Sequence, residues 1–221
     1  MTPKTKQYDS HKHQKGFHYN NLHITLNTQV YNPAEDTFLL LEAIEPYKND
    51  TILEIGTGCG IIALHCAQHG SNVLATDINP YALQLTKQNI IQNHDQIKGT
   101  IQLARGNLLD YIRLNTRFNT IIFNPPYLPT TKKETLPGWI NYAYDGGITG
   151  TKTIETFLHQ APQHLKKKGI CYFVGSSLQN QKYLNSTIQT TEMTHTLIAE
   201  QLNGDEYIQI HQLQKKKIIR R

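Results

Sequence analysis

Between residues 51 and 175 the chain repeats one pattern. Short apolar runs, "TILEI" (51–55), "NVLATD" (72–77), "TIQLARG" (100–106), "FNTIIF" (118–123) and "GICYFVG" (169–175), are separated by helix-patterned stretches or turns. Each run has the length of a strand, and the segments between them, such as "IIALHCAQHG" (61–70) and "PYALQLTKQNIIQN" (80–93), have the periodicity or start signals of helices. Strands that alternate with helices must cross over to pair, so the pattern dictates a parallel, doubly wound α/β sheet with helices on both faces. The closing stretches "HTLIAEQL" and "EYIQIHQL" flank "NGD" (203–205) and read as a hairpin, which adds antiparallel strands at the end. A helix is expected over about 152–167, bent by Pro162, and another over about 179–190.

Upstream, "YNPAEDTFLLLEAIEPY" (31–47) reads as an entry helix, with Asn32 as its cap, Pro33 in the first turn and Glu35 and Asp36 placed for the helix dipole. A polar arm (1–29), a catalytic domain (30–214) and a basic tail (215–221) are the expected divisions. The net charge of +5 combines +5 in "KKKIIRR", +3 in residues 1–17 and −3 in the body between them. A mildly acidic body argues against a broad nucleic-acid groove. No apolar stretch is long enough to span a membrane. Three cysteines without Cys-x-x-Cys spacing, Cys59, Cys66 and Cys171, fit neither a disulfide framework nor a zinc knuckle, and suggest a reducing, cytoplasmic setting. His11, His13, His18 and His23 lack accompanying ligands, so no metal site is expected.

Two motifs carry chemistry. "LEIGTGCGIIAL" (53–64) follows a strand and opens a helix, where Gly56 and Gly58 permit a tight turn and close approach to a ligand. A dinucleotide fingerprint would place Gly or Ala at position 61, which holds Ile, and Gly60 falls out of register. Glu54 precedes the loop; a carboxylate there would repel a pyrophosphate and suit a ligand with an amino group and a sulfonium, as in S-adenosylmethionine. Asp77, ending the second run, is spaced to accept both ribose hydroxyls, and Asn107 after the third is placed for an adenine edge.

The second motif is "FNPPY", Phe123–Tyr127. Its strand neighbours the first strand in such a sheet, so both motifs open on one crevice. The Asn124 side-chain oxygen and the Pro125 carbonyl can each accept a hydrogen bond, Pro126 stiffens the turn, and Tyr127 offers an aromatic face. A planar NH2 group fits such an acceptor pair, whether a glutamine amide or the exocyclic amine of adenine. A lysine amine fits less well, and a non-catalytic cofactor-binding scaffold would have no need of the amide.

With these motifs the chain resembles the class I S-adenosylmethionine-dependent methyltransferases, and among them the HemK-like release-factor glutamine methyltransferases. "VYNPAEDTFLLLEAI" (30–44) resembles the entry helix of the shorter eukaryotic/archaeal branch. The resemblance spans about residues 30–175 and implies a Rossmann-like, seven-stranded, mostly parallel sheet. It implies that Thr37, Glu54 and Gly56 hold the methionine end of S-adenosylmethionine, that Asp77 holds the ribose, and that Asn107 and Leu108 frame the adenine. Asn107 stands where the family more usually has Asp. The resemblance further implies that Asn124 and Pro125 grip a target glutamine in the Gly-Gly-Gln loop of a peptide chain release factor, and that a small zinc-binding activator subunit is a possible partner. An N6-adenine methyltransferase acting on RNA or DNA remains the rival. "DGGITG" (145–150) resembles the Gly-rich turn that follows the motif in this family.

Overall fold

A computed structural model describes residues 16–215. His11, His13 and residues 216–221 of the basic tail lie outside the described residues. The chain begins with strands β1 (Gly16–Tyr19) and β2 (Leu22–Thr25), then helix α1 (Glu35–Ala43). The α/β body runs β3 (Thr51–Ile55), α2 (Ile61–Gln68), β4 (Asn72–Asp77), α3 (Pro80–Gln92), β5 (Thr100–Arg105) and β6 (Phe118–Phe123). It continues with α4 (Lys152–Gln160), β7 (Leu165–Ser176), α5 (Gln181–Thr190) and the hairpin β8 (Met193–Asn203) and β9 (Glu206–Lys215). The seven-stranded sheet has the order β5-β4-β3-β6-β7-β9-β8, parallel as far as β7 and antiparallel thereafter.

Each face of the sheet carries its own core. Leu40, Ile62, Leu64 and Ile210 pack on one side, and Phe157, Phe173, Leu184 and Ile188 on the other. β3 and β6 lie between them and are apolar almost throughout, as expected of strands covered on both faces.

Three segments depart from the sequence expectation. Residues 16–25, assigned above to the polar arm, form a hairpin in which Leu22 and Ile24 are fully buried in the core beside α1 and α2. Asn20 and Asn21 make its two-residue turn with φ of 44° and 65°, the left-handed pair that matches strand twist. α1 starts at Glu35 rather than at Pro33, and its Ala34 cap makes no side-chain bond. The Asp36 carboxylate instead accepts from the backbone amide of Thr37 at 2.6 Å. The helix expected to reach residue 167 stops at Gln160, Pro162 lies in a 3-10 turn over Ala161–His164, and β7 begins at Leu165, four residues early. Leu165 is buried opposite Phe118, whereas Lys166, Lys167 and Lys168 are exposed, so this end of β7 projects its polar residues to solvent.

Among the described residues no helix is long and apolar enough to cross a membrane, and no cluster of three or more His, Cys, Asp or Glu could hold a metal ion. His18 and His23 face each other across the hairpin.

Candidate active site

The order of strands reverses between β3 and β6, since β3 leads to β4 on one side while β6 leads to β7 on the other. The loops that leave their carboxyl ends diverge there and open a crevice. A cleft of about 650 Å3 occupies that position. It is lined by Thr37, Gly56, Gly58, Asp77, Asn107, Leu108, Asn124, Pro125, Pro126 and Tyr127, together with Asp36, Tyr31, Trp139, Tyr144 and Glu206.

The glycine loop is shaped by its neighbours. Gly56 and Gly58 have φ of +69° and +58°, and a Cβ on Gly56 would touch the Phe123 ring. Gly60, out of register with a dinucleotide motif, proves the tightest: its φ is +82°, and a Cβ would come within 2.5 Å of Thr86 Cγ2 on α3. Its place is set by packing of the loop on α3, where the Thr86 hydroxyl donates to the Gly58 carbonyl at 3.0 Å. Asp77 turns both oxygens to backbone amides, accepting from Gly58 N at 3.0 Å and Asn79 N at 2.8 Å. Burial raises its pKa above the ordinary carboxylate value. The cap of α3 is Asn79, which accepts from Tyr81 N, so Asp77 is free of that duty.

Glu54 is the one expected residue that does not line the cleft. It is buried directly behind the loop, where Thr57 Oγ1 donates to its Oε2 at 2.8 Å while Oε1 has no partner. Burial pushes its pKa up to about 8. Asn107 is exposed and donates to Asp110 at 3.4 Å; Leu108, beside it, is buried with a φ of 47°.

The Asn-Pro-Pro-Tyr turn is organised by a residue outside the expected set. Asp36 is almost fully buried, and both of its oxygens accept from the Tyr31 hydroxyl, at 3.0 and 3.1 Å. Its Oδ2 also accepts from Asn124 Nδ2 at 3.1 Å and from the Tyr127 hydroxyl at 3.3 Å. Thr37 Oγ1 lies 3.3 Å from the same Asn124 nitrogen. The amide nitrogen is thereby engaged, and Asn124 Oδ1 is left buried with no hydrogen-bond partner. Burial, with the Asp36 charge adding to it, raises the Tyr31 and Tyr127 phenols well above their ordinary value, so both remain protonated donors. Behind the turn, Gly146 N donates to Leu128 O at 3.0 Å and Thr130 N to Gly147 O at 2.9 Å, binding the Gly-rich turn to it. A Cβ on Gly150 would come within 2.5 Å of Tyr127 O, which explains glycine there.

The signal for Asp36 was present in "YNPAEDTF", but an acidic residue in a first helical turn is already accounted for by the helix dipole. Two of its partners, Asn124 and Tyr127, lie 88 and 91 residues away in sequence and meet it only in the fold.

The model of the methyltransferase small domain family matches residues 33–139, from the entry helix through the Asn-Pro-Pro-Tyr turn. A Methanocaldococcus jannaschii protein named for N5-glutamine methyltransferase activity is 38% identical over 160 residues, covering 72% of this chain and 78% of that one. The methyltransferase HEMK2 of Homo sapiens is 31% identical, covering 83% and 88% of the two chains. Among solved structures, the E. cuniculi Mtq2-Trm112 complex, responsible for the methylation of the eRF1 translation termination factor, superposes with a TM-score of 0.66 at 23% identity, covering 86% of this chain and 100% of that one. The chain belongs to the HemK-like family of class I S-adenosylmethionine-dependent methyltransferases.

Proposed function

We propose that this enzyme methylates the side-chain amide nitrogen of glutamine in the Gly-Gly-Gln loop of a peptide chain release factor. The observation that carries the reading is the Asn124 amide. Its nitrogen is turned to Asp36 and Thr37, and its oxygen is buried and unpartnered on a residue that lines the cleft. An unsatisfied buried acceptor is costly, and a ligand N–H relieves that cost.

The residues fit S-adenosylmethionine. The loop of Gly56 and Gly58 allows backbone approach, Asp77 offers oxygens towards a ribose, Asn107 and Leu108 flank an adenine position, and Thr37 stands at the methionine end. Glu54 acts from behind the loop, where the bond it accepts from Thr57 Oγ1 braces the turn that approaches the ligand. The cofactor supplies an electrophilic methyl on sulfur. The protein's own part is orientation. Asn124 Oδ1 and the Pro125 carbonyl each accept one N–H of the target amide, which holds its plane and leaves the nitrogen's π density facing the methyl donor. Pro125 and Pro126 keep the two acceptors from moving apart. Tyr127, fixed by its hydroxyl on Asp36, presents a ring edge or face to the incoming chain.

The reading extends to a partner and a place. A small zinc-binding activator subunit would stabilise the enzyme, and the reaction belongs in the cytoplasm with its release-factor substrate. Co-purification with metal analysis of any bound chain tests the partner. The substrate is tested by incubating the protein with methyl-labelled cofactor and, in parallel, a release factor, tRNA and duplex DNA, with Asn124→Ala as control. Label on the release factor, abolished in the variant while cofactor binding persists, is the expected result. Label on nucleic acid alone would overturn the assignment in favour of an adenine N6 acceptor.

A further inference from the structure

The segment between the Asn-Pro-Pro-Tyr turn and α4 is more than a connection. Its 3-10 stretch, Trp139–Ala143, crosses the cleft, and Trp139, Asn141, Tyr142, Ala143 and Tyr144 all line it. At the acceptor end the Tyr144 ring meets Tyr31 edge-on at 5.4 Å. At the opposite end the indole of Trp139 meets Arg105, whose guanidinium carbon lies 5.6 Å from the ring centroid.

We propose that Trp139, braced by Arg105, closes the nucleoside end of the cleft and contacts the adenosine portion of S-adenosylmethionine; this rests on the cofactor assignment given above. Arg105 is the last residue of β5, directly before Gly106 and Asn107, and its Nε donates to the carbonyl of Ile78 at 3.2 Å. The guanidinium is therefore tied to the loop after Asp77, the residue assigned to the ribose. Tyr142 supports the indole from the strap itself, with ring centroids 5.4 Å apart and planes inclined by 32°. The strap is pinned in turn by Asn141, which accepts from Leu136 N at 2.8 Å and donates to Asp145 at 3.4 Å.

The chemistry suits a purine. A flat, apolar ring lining the same cleft as Asp77 and Asn107 matches a nucleoside, whose base stacks while its sugar hydrogen-bonds. Among the described residues Arg105 has no carboxylate partner, so its cation is available to hold the indole by a cation–π contact. At the methionine end of the cleft the Tyr31 and Tyr127 rings are held by their hydroxyls on Asp36, so the groups gathered there form a polar cluster.

Trp139 is the sole tryptophan in the chain, so its fluorescence reports this contact alone. Emission should change on adding S-adenosylhomocysteine or adenosine and stay unchanged with methionine. By calorimetry, Trp139→Ala should raise the Kd for S-adenosylhomocysteine about tenfold, and Trp139→Phe by less, since a stacking ring is kept. Arg105→Ala should raise it about threefold. Asp77→Ala separates this idea from the one beneath it. If Asp77→Ala loses binding while Trp139→Ala and Trp139→Phe bind like the native protein, the role of Trp139 is overturned and the cofactor site stands. Emission that responds to a substrate peptide and not to adenosine would also overturn it. If the native protein binds no S-adenosylhomocysteine, the cofactor assignment falls and takes this proposal with it.

Discussion

Replacing Asp36 by Asn tests whether the fold holds Asn124 with its oxygen towards the acceptor. In the native cluster, Asp36 Oδ1 accepts from Thr37 N at 2.6 Å and Oδ2 accepts from Asn124 Nδ2 at 3.1 Å. An asparagine keeps one oxygen and gains an NH2 that can only donate. The backbone amide of Thr37 cannot turn, so the remaining oxygen stays on it and the new NH2 faces Asn124. The Tyr31 and Tyr127 hydroxyls can rotate to accept; Asn124 can satisfy the new donor only by flipping. The flip places Asn124 Nδ2 in the cleft, where a target amide needs an acceptor. One hydrogen bond is lost and two donors oppose each other, costing roughly 2–4 kcal/mol of transition-state stabilisation. That corresponds to about a 30- to 800-fold loss in kcat/KM. The assay is transfer of labelled methyl to a Gly-Gly-Gln peptide, with calorimetry showing cofactor binding changed by less than about threefold. A second arm uses the same peptide with glutamate in place of the target glutamine, as a competitor. Its carboxylate meets an acceptor in the native enzyme and a donor in Asp36→Asn, so it should compete relatively better against the variant. A variant with nearly native turnover would refute the reasoning. So would one that loses turnover with the glutamine-over-glutamate preference unmoved, because a generally loosened site has no cause to invert that preference.

Three further outcomes concern the scaffold. Glu54, held up at about 8 by burial, keeps a proton in the folded state that the unfolded chain has released above its ordinary 4.5. Its stabilising effect is therefore full below about pH 4.5 and is lost as pH rises towards 8, at roughly 1.4 kcal/mol per unit; urea denaturation of the ligand-free protein from pH 5 to 7.5 should show the slope, and Glu54→Gln should flatten it. Gly60→Ala forces a left-handed φ on an L-residue and drives a methyl into Thr86, so unfolding free energy should fall by about 2 kcal/mol or more; adding Thr86→Ser, which removes the nearest carbon, should restore only the steric share. Ile24→Ala should cost about 2–5 kcal/mol in denaturation if the hairpin belongs to the core, and a change below about 0.5 kcal/mol would show that it does not.

What the sequence revealed follows from where each signal resides. β3, β4 and β6 were read at their true bounds because a strand covered on both faces is a short, mostly apolar run flanked by turn residues. β7 was read short because the three lysines that open it look like the polar face of the preceding helix. The β1–β2 hairpin hid among histidines and lysines, although Phe17, Tyr19, Leu22 and Ile24 alternate on either side of the Asn-Asn turn. Of the residues that line the cleft, Gly56, Gly58, Asp77 and the Asn124–Tyr127 turn were legible because they stand at or just after the ends of strands that the sequence marks clearly. Asp36, Tyr31 and Trp139 were not, since their importance comes from contacts made across the fold. Glu54 was placed on the correct strand and loop, but whether a side chain faces the cleft or the layer behind it depends on how the loop packs on α3.

One further feature of the hairpin bears on how the molecule behaves in a crowded solution. The outer edge of β2 offers its backbone groups at His23 and Thr25, and Asn89 of α3 and Asn93, which caps its end, meet them with two side-chain amides one turn apart. Asn93 accepts from His23 N at 2.8 Å and donates to His23 O at 2.8 Å. Asn89 accepts from Thr25 N at 3.0 Å and donates to Thr25 O at 3.1 Å. The two amides imitate a neighbouring strand, so β2 has no vacant donors or acceptors there for an intruding chain to template upon. Within the main sheet, strand addition and filament growth are left to the terminal strands β5 and β8.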